Sequence, residues 1–452
     1  MDSNRSSFTG KIGFVLAAAG SAVGLGNIWR FPYLAAKYGG GIFLLVYIAL
    51  SVTFGFSLMI AEIALGRKTQ MSAIGAFKSL SKRFAFVGWM AALIPAIILP
   101  YYSVIGGWVT KYIVGFLSGE ASAMADASYF GSYISKTGEP VIWFLLFITI
   151  TAVVVIFGVN KGIEKVSKIM MPALVLLIIF IVAFTIISGG KDILQGILHY
   201  IKPDFSKFTL MTVVAAAGQL FYSMSLAMGI MITFGSYTKK DISIEKSTKQ
   251  IEFFDTGIAF LAGLMIIPVV FANDPSSLGK SGPGLMFSVL PHIFDGMPAG
   301  TVIGAVFFIM VFFAALTSSI SLMETIVSII MDKLKTGRTV SCVIVWVFSI
   351  VLGLLSCLGY SAWSDVTIIG LQFLDFFDFT SNSLLMPIVA FLTCIFVGYV
   401  IKPKAVIEEV ELSGPFKAKS LFTVIIKYVA PVILLIILAT SVVDVFSPNF
   451  NI

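Results

Sequence analysis

Gly20-Ser21-Ala22-Val23-Gly24-Leu25-Gly26-Asn27-Ile28-Trp29-Arg30-Phe31-Pro32 lies inside an apolar run that covers 11–36. Glycine, serine, asparagine and arginine stand here at a depth where a membrane helix would be uniformly apolar. A second stretch of this kind, Gly218-Gln219-Leu220-Phe221-Tyr222-Ser223-Met224-Ser225-Leu226-Ala227-Met228-Gly229, interrupts the run 207–234. Both runs are expected to unwind at mid-depth. Unwound backbone inside a bilayer is tolerated only where protein buries it or where it lines a cavity. Small residues also suit close helix packing, but a packing face alone has no use for Asn27 and Arg30. Matched interruptions in two halves of a chain are the trace that a transport site between inverted repeats leaves in sequence.

The surrounding chain fits a bilayer. Of 452 residues, 58% are hydrophobic and 12% charged, about half the charge of a soluble domain. The apolar residues fall in blocks long enough to cross the hydrocarbon core: 11–36, 41–66, 86–115, 141–158, 165–188, 207–234, 251–272, 300–334, 339–358, 367–401 and 421–446. The expected fold is an all-α membrane protein of about 11 transmembrane helices. It forms one domain over 1–452, with repeat one at 11–188, repeat two at 207–401 and an extra helix at 421–446. No signal-peptide pattern precedes the first block. With the N-terminus in the cytoplasm, 22 of the 30 Lys and Arg residues fall on the inner side, as the positive-inside rule requires. An odd helix count then puts the C-terminus outside. The same bias accounts for the net charge of +7 without nucleic acid. Lys191–Tyr200 reads as an amphipathic surface helix on the outer side, and 402–420 as a polar inner segment. Cys342, Cys357 and Cys394 sit in apolar blocks at no metal or disulfide spacing. His199 and His292 both fall in outer loops, which argues against a His-based metal site.

The first quoted stretch resembles the first helix of the neurotransmitter:sodium symporters. Gly39-Gly40-Gly41 with Tyr47, Gln219–Gly229, Thr317-Ser318-Ser319 and the Gly162-x9-Pro172 spacing continue the resemblance in order over nearly the whole chain. The chain is identified on these motifs as a bacterial-type, eleven-helix member with the leucine-transporter fold. The resemblance implies two sodium sites. The first comprises the Ala22 carbonyl, Asn27, Ser223 and Asp255, completed by a substrate carboxylate. The second comprises the Gly20, Val23 and Ala314 carbonyls with the hydroxyls of Thr317 and Ser318. Sodium, a hard cation, takes such oxygens from unwound carbonyls and neutral side chains. Read alone, Thr317 and Ser318 are ordinary helix hydroxyls bonding back one turn.

Asp255 is an acid at depth, a functional group by default, although it could also be an interfacial residue near a helix end. Chloride-dependent relatives have neutral Asn and Ser in this region. An acid here, with Ala259 one turn on, implies that Asp255 supplies the negative charge itself beside Tyr47, Gln219 and Ser223. No chloride requirement is then expected, and a proton could be countertransported through Asp255 or a neighbour. Monoamine carriers of the family have an Asp at the position of Gly24. Gly24 implies a substrate that brings its own carboxylate, hence an amino acid. That carboxylate would meet the free backbone N–H groups near Leu25 and Gly26 and the hydroxyl of Tyr102. The remaining substrate residues implied are Ser21, Ala22, Ile98, Tyr222, Ser225, Met228, Ser318 and Leu322. This largely apolar pocket favours a small hydrophobic amino acid. Ala227, where amino-acid carriers have Gly, and the hydroxyls of Ser21 and Ser225 leave alanine and threonine open.

Gating requires contacts that open and close. The implied outer gate is Arg30 with Asp378 under a lid of Tyr102 and Tyr222, Asp375 being a competing partner. The implied inner gate is Arg5 with Asp332, packed by Phe8, Ser236 and Tyr237. Gly162 and Pro172 would let the inner end of the fifth helix unwind, although Pro172 alone reads as a plain kink. A sodium-coupled amino-acid importer working by alternating access is the leading reading, with sodium, an amino acid and the lipid of the cell membrane as partners. A sensor or channel on the same scaffold is the alternative. No Ser–His or acid–metal constellation supports an enzyme.

Overall fold

The computed structural model describes residues 7–279 and 282–446. Among the described residues nine helices are long and apolar enough to cross a membrane: α2 (Gly41–Thr69), α3 (Lys82–Ser118), α4 (Glu139–Ile156), α5 (Val159–Ser188), α7 (Ile244–Asn273), α8 (Gly300–Leu334), α9 (Arg338–Leu358), α10 (Phe373–Val400) and α11 (Lys419–Thr440). Ahead of them, α1a (Lys11–Ala22) and α1b (Gly26–Lys37) form one span bent by 51°. The remaining span is likewise split, into α6a (Leu210–Ser223) and α6b (Ile230–Ser236). α3 has 37 residues, about 55 Å at 1.5 Å per residue, so it crosses a ~30 Å core at a tilt.

Both breaks fall where the quoted stretches place them. The last helical bond of α1a runs from Val23 N–H to Ala19 O, and Val23 itself is extended (φ −77°, ψ 97°). In the other break, Ser225, Ala227 and Gly229 adopt φ of 53°, 64° and 72°. This left-handed region is open to glycine and costly for a residue with a Cβ, and only small side chains occupy it here. α1a packs on α5, α7 and α8; α6b packs on α2; and α8 lies along α3. The two broken helices are thereby enclosed by intact ones.

Several ends differ from the sequence reading. α7 starts at Ile244, seven residues earlier than expected, because its first turns carry Glu245, Lys246 and Lys249. Asp255 is therefore three turns inside the helix and fully buried in the protein, not at a helix end. Residues 402–420 contain a helix, Lys402–Glu411, held by the ion pair of Arg67 Nε and Glu409 Oε1 at 2.7 Å. The loop 273–299 re-enters the protein at Leu285–Asp295, where Tyr112 donates to Phe287 O at 2.7 Å. The helix Gly190–Ile201 covers the amphipathic stretch Lys191–Tyr200 and buries Ile193, Gly196 and Tyr200.

Candidate functional site

The break in α1 exposes backbone groups that side chains from three other helices meet. Asn27 turns back, and its Oδ1 accepts the Gly24 N–H at 3.1 Å. Its Nδ2 then donates to Asp255 Oδ1 at 2.8 Å and to Ser223 Oγ at 3.1 Å. Asp255 Oδ2 accepts from Tyr47 OH at 2.9 Å, and Ser223 Oγ donates to Oδ1. Gln219 Nε2 donates to Gly26 O at 2.9 Å, while its Oε1 is buried with no partner among the described residues. Asn27, Tyr47, Gln219, Ser223 and Asp255 form one fully enclosed cluster. It holds one carboxylate and several neutral oxygens, a donor set suited to a hard monovalent cation.

A second group of oxygens lies on the other side of the break. Ser318 Oγ stands 3.4 Å from Gly20 O, 3.2 Å from Ser21 O and 3.4 Å from Val23 O. A Cβ added to Gly20 would lie 3.2 Å from Thr317 Cβ, so Thr317 faces α1a. Its hydroxyl bonds within its own helix, to Phe313 O at 2.9 Å and Ala314 O at 3.1 Å. Gly20, Val23, Ala314, Thr317 and Ser318 are thus brought together at one point.

Between the two clusters, Ser21, Ala22, Leu25, Gly26, Ile98, Tyr102, Tyr222, Ser225, Met228, Ser318 and Leu322 line a cavity of about 30 Å³, together with Gly24, Asn27, Ser223 and Ile230. Every substrate residue implied by the sequence borders it. Leu25 N–H, at the start of α1b, donates to Tyr102 OH at 3.3 Å. A Cβ on Gly24 would sit 2.8 Å from Ser318 Oγ and 3.1 Å from Tyr102 OH. Ser21 and Ser225 hydroxyls lie 3.1 Å apart, and Ser225 Oγ donates to Ser21 O at 2.9 Å.

The outer gate assembles differently from the expected direct pair. The Arg30 guanidinium lies over the Tyr222 ring, 5.5 Å from its centroid. Asp378 Oδ1 instead accepts from Tyr101 OH at 3.0 Å and Asn382 Nδ2 at 2.6 Å. Among the described residues no ion pair joins Arg30 to Asp378 or Asp375, since the Tyr222 ring takes up the cation and two neutral donors take up the acid. On the inner side Arg5 lies outside the described residues. Its expected partner Asp332 accepts the Ser72 N–H at 2.9 Å. Phe8 is fully buried against Phe14, Phe234 and Tyr237, and its N–H donates to Tyr237 O at 3.1 Å. Ser236 Oγ bonds Thr233 O within α6b. α5 is wound through Pro172, while Gly162 sits in the π-helical turn Val159–Glu164, where a Cβ would collide with Val154 O.

Three acids escaped the sequence reading. Glu62 of α2 accepts the Ala227 N–H at 2.7 Å and so clamps the α6 break. Glu324 of α8 takes Tyr237 OH at 2.7 Å and the Arg338 guanidinium. Glu252 borders the lipid face of α7. A lone acid in an apolar span was the available signal for Glu62 and Glu324, whereas Glu252 stands among Glu245, Lys249 and Asp255, where the sequence does not single it out.

Comparison with known proteins identifies the scaffold. The model of the Sodium:neurotransmitter symporter family matches residues 5–123 and 116–452. This chain belongs to that family. An uncharacterized sodium-dependent transporter of Bacillus subtilis, YhdH, is 36% identical over 94% of this chain and 95% of its own. A sodium-dependent transporter of Haemophilus influenzae is 32% identical over 97% and 98%. The sodium- and chloride-dependent glycine transporter 1 of Xenopus laevis is 25% identical over 97% of this chain and 78% of its own. Among solved structures, MhsT in complex with L-phenylalanine superposes with a TM-score of 0.88 at 35% identity, covering 97% of this chain and all of that one. The protein is therefore a multi-pass, sodium-dependent secondary transporter with the leucine-transporter fold, and not an enzyme.

Proposed function

We propose that this symporter carries a small hydrophobic amino acid into the cell, driven by sodium bound at two sites and without chloride. The observation that carries the reading is the corner made by Leu25 N–H, Tyr102 OH and the missing side chain of Gly24. It is a donor-rich notch at a helix N-terminus with no acid of its own, suited to a substrate carboxylate. That MhsT forms a complex with L-phenylalanine supports an amino acid as the substrate. Ile98, Met228 and Leu322 would receive the side chain, and the adaptable Met228 suits more than one shape.

Asn27, Ser223, Asp255 and the Ala22 carbonyl would hold one sodium with the substrate carboxylate. Gly20, Val23 and Ala314 carbonyls with Thr317 and Ser318 would hold the other. Asp255 would supply the charge that a chloride supplies elsewhere, with Tyr47 and Gln219 orienting the cluster. The buried Phe8–Tyr237 contact would seal the inner path, and Tyr102 and Tyr222 with Arg30 the outer one. Alternating access would rock repeat one (11–188) against repeat two (207–401), with 421–446 outside the repeats. On the basic bias the N-terminus would lie in the cytoplasm and the C-terminus outside, in the cell membrane. Uptake of labelled amino acids into proteoliposomes under an inward sodium gradient tests the whole reading. Accumulation above equilibrium, abolished when potassium replaces sodium, is expected. Sodium-dependent binding with no accumulation would instead make the protein a sensor or channel.

A further inference from the structure

A far larger cavity lies away from the substrate site. It is a groove of about 790 Å³ on the lipid face, between α2, α7 and the start of α11. Its walls are mostly apolar, with Leu44, Ile48, Phe56 and Leu421 among them, and one acid, Glu252, and one base, Lys249, border it. Glu252 is 6% exposed, and its Oε1 is buried with no hydrogen-bond partner among the described residues. It lies eight residues along α7, about 12 Å from the start of the helix. An ionised carboxylate left bare in such surroundings is costly, and a group so placed takes up a proton.

The charged neighbours do not neutralise it. On α7 itself, Lys249 borders the same groove and lies over the Phe56 ring, 5.8 Å from its centroid, but it is half-exposed and its ion pair is with Glu245 Oε1 at 2.7 Å. Asp255 lies three residues beyond Glu252, on the same helix face. α2 offers Tyr47, whose hydroxyl is committed to Asp255. Beside the start of α11, Lys417 N–H bonds Glu245, Lys419 pairs with Glu411, and Lys427 lies over Tyr399 and Tyr428. From α5, Lys168 is held by Glu164.

We propose that Glu252 is a proton-binding site, opening on the lipid-side groove, whose occupancy answers sodium binding at Asp255. The proposal rests on the reading of Asp255 as a sodium ligand. Two carboxylates one helical turn apart repel, so a bare Asp255 strengthens proton binding at Glu252. Sodium on Asp255 cancels that repulsion, and the proton passes from Glu252 to solvent water past the half-exposed Lys249 that borders the same groove. By reciprocity, protonation of Glu252 weakens sodium binding by the same factor, about tenfold for charges ~6 Å apart at a partly screened site.

Two measurements test this. Dicyclohexylcarbodiimide reaches protonated carboxyls from the lipid phase, so wild-type protein in nanodiscs is treated at pH 6, 7.5 and 9, in sodium or in choline, and digested for mass spectrometry. An adduct at Glu252 is expected, falling as pH rises and at least about threefold slower to form in sodium. In parallel, sodium is added to weakly buffered detergent-solubilised protein and proton release is read with a pH dye. The wild-type chain releases protons, and Glu252→Gln loses most of that release while sodium still raises its melting temperature. The proposal falls if Glu252 stays unlabelled at pH 6. It also falls if labelling or proton release is indifferent to sodium, or to the substitution, in protein that sodium stabilises. If sodium does not raise the wild-type melting temperature, the sodium site and its link to Glu252 both fall, while labelling of Glu252 still decides whether a proton binds there.

Discussion

At the residue scale, two positions carry the specificity of the site. Gly24 is defined by what its missing side chain would touch, Ser318 Oγ at 2.8 Å and Tyr102 OH at 3.1 Å. Gly24→Ala is expected to raise the KM for amino-acid uptake at least about tenfold, because a misplaced carboxylate loses both its donors, with the melting temperature little changed. Steady-state uptake kinetics on reconstituted protein check it. Asp255 is the one acid in the Asn27–Tyr47–Ser223 cluster. Asp255→Asn should leave uptake low in gluconate buffer and restore it with chloride, since an anion can then occupy the vacated charge among Tyr47, Gln219 and Ser223. Uptake equal to wild type in both buffers would remove Asp255 from that role. Ala227 shows where one methyl matters differently. The sequence suggests a tighter pocket, whereas the backbone places Ala227 at φ 64°. Ala227→Gly should therefore raise stability by about 1 kcal/mol, seen as a higher melting temperature.

At the scale of elements, the breaks survive because other helices satisfy the backbone they free. Asn27 and Tyr102 serve α1, and Glu62 serves α6 through the Ala227 N–H. Glu62→Ala leaves that buried donor unpaired, at a cost of about 1–3 kcal/mol. Sodium and substrate should then no longer stabilise the protein together, whereas Glu62→Gln keeps an acceptor and should retain most of that synergy. Thermal-shift assays with sodium, substrate and both distinguish the two variants. The intact helices were easier to read than the broken ones, since length and apolarity alone mark a span. The inner start of α7 and the helix Lys402–Glu411 were harder. Their charged residues suggest loops, and only packing against Arg67 and the neighbouring helix ends makes them ordered helices.

At the scale of the whole molecule, this conformation is closed at the end of the bundle where α1a begins. Phe8 fills the space between α1a and α6b, and Glu324 ties Tyr237 to Arg338. Phe8→Ala removes the plug without touching either oxygen cluster. It should shift the population toward an inward-open state, so that a cysteine placed at Ser236 reacts faster with a water-soluble maleimide added from the cytoplasmic face. An unchanged labelling rate would mean that Phe8 does not hold the inner path shut.

Sequence alone determined the solvent, the approximate spans, the two interruptions and the types of residue at the site. Each of these follows from the local chemistry of a short segment at a given depth. Which oxygens meet was decided only by the tertiary structure. Asn27 and Asp255 are 228 residues apart and bond at 2.8 Å, and Ser318 reaches carbonyls nearly 300 residues earlier. Arg30 lies over a tyrosine rather than beside an acid for the same reason: a charge takes the partner that packing brings to it, and hydropathy along a chain does not record what lies across the bundle.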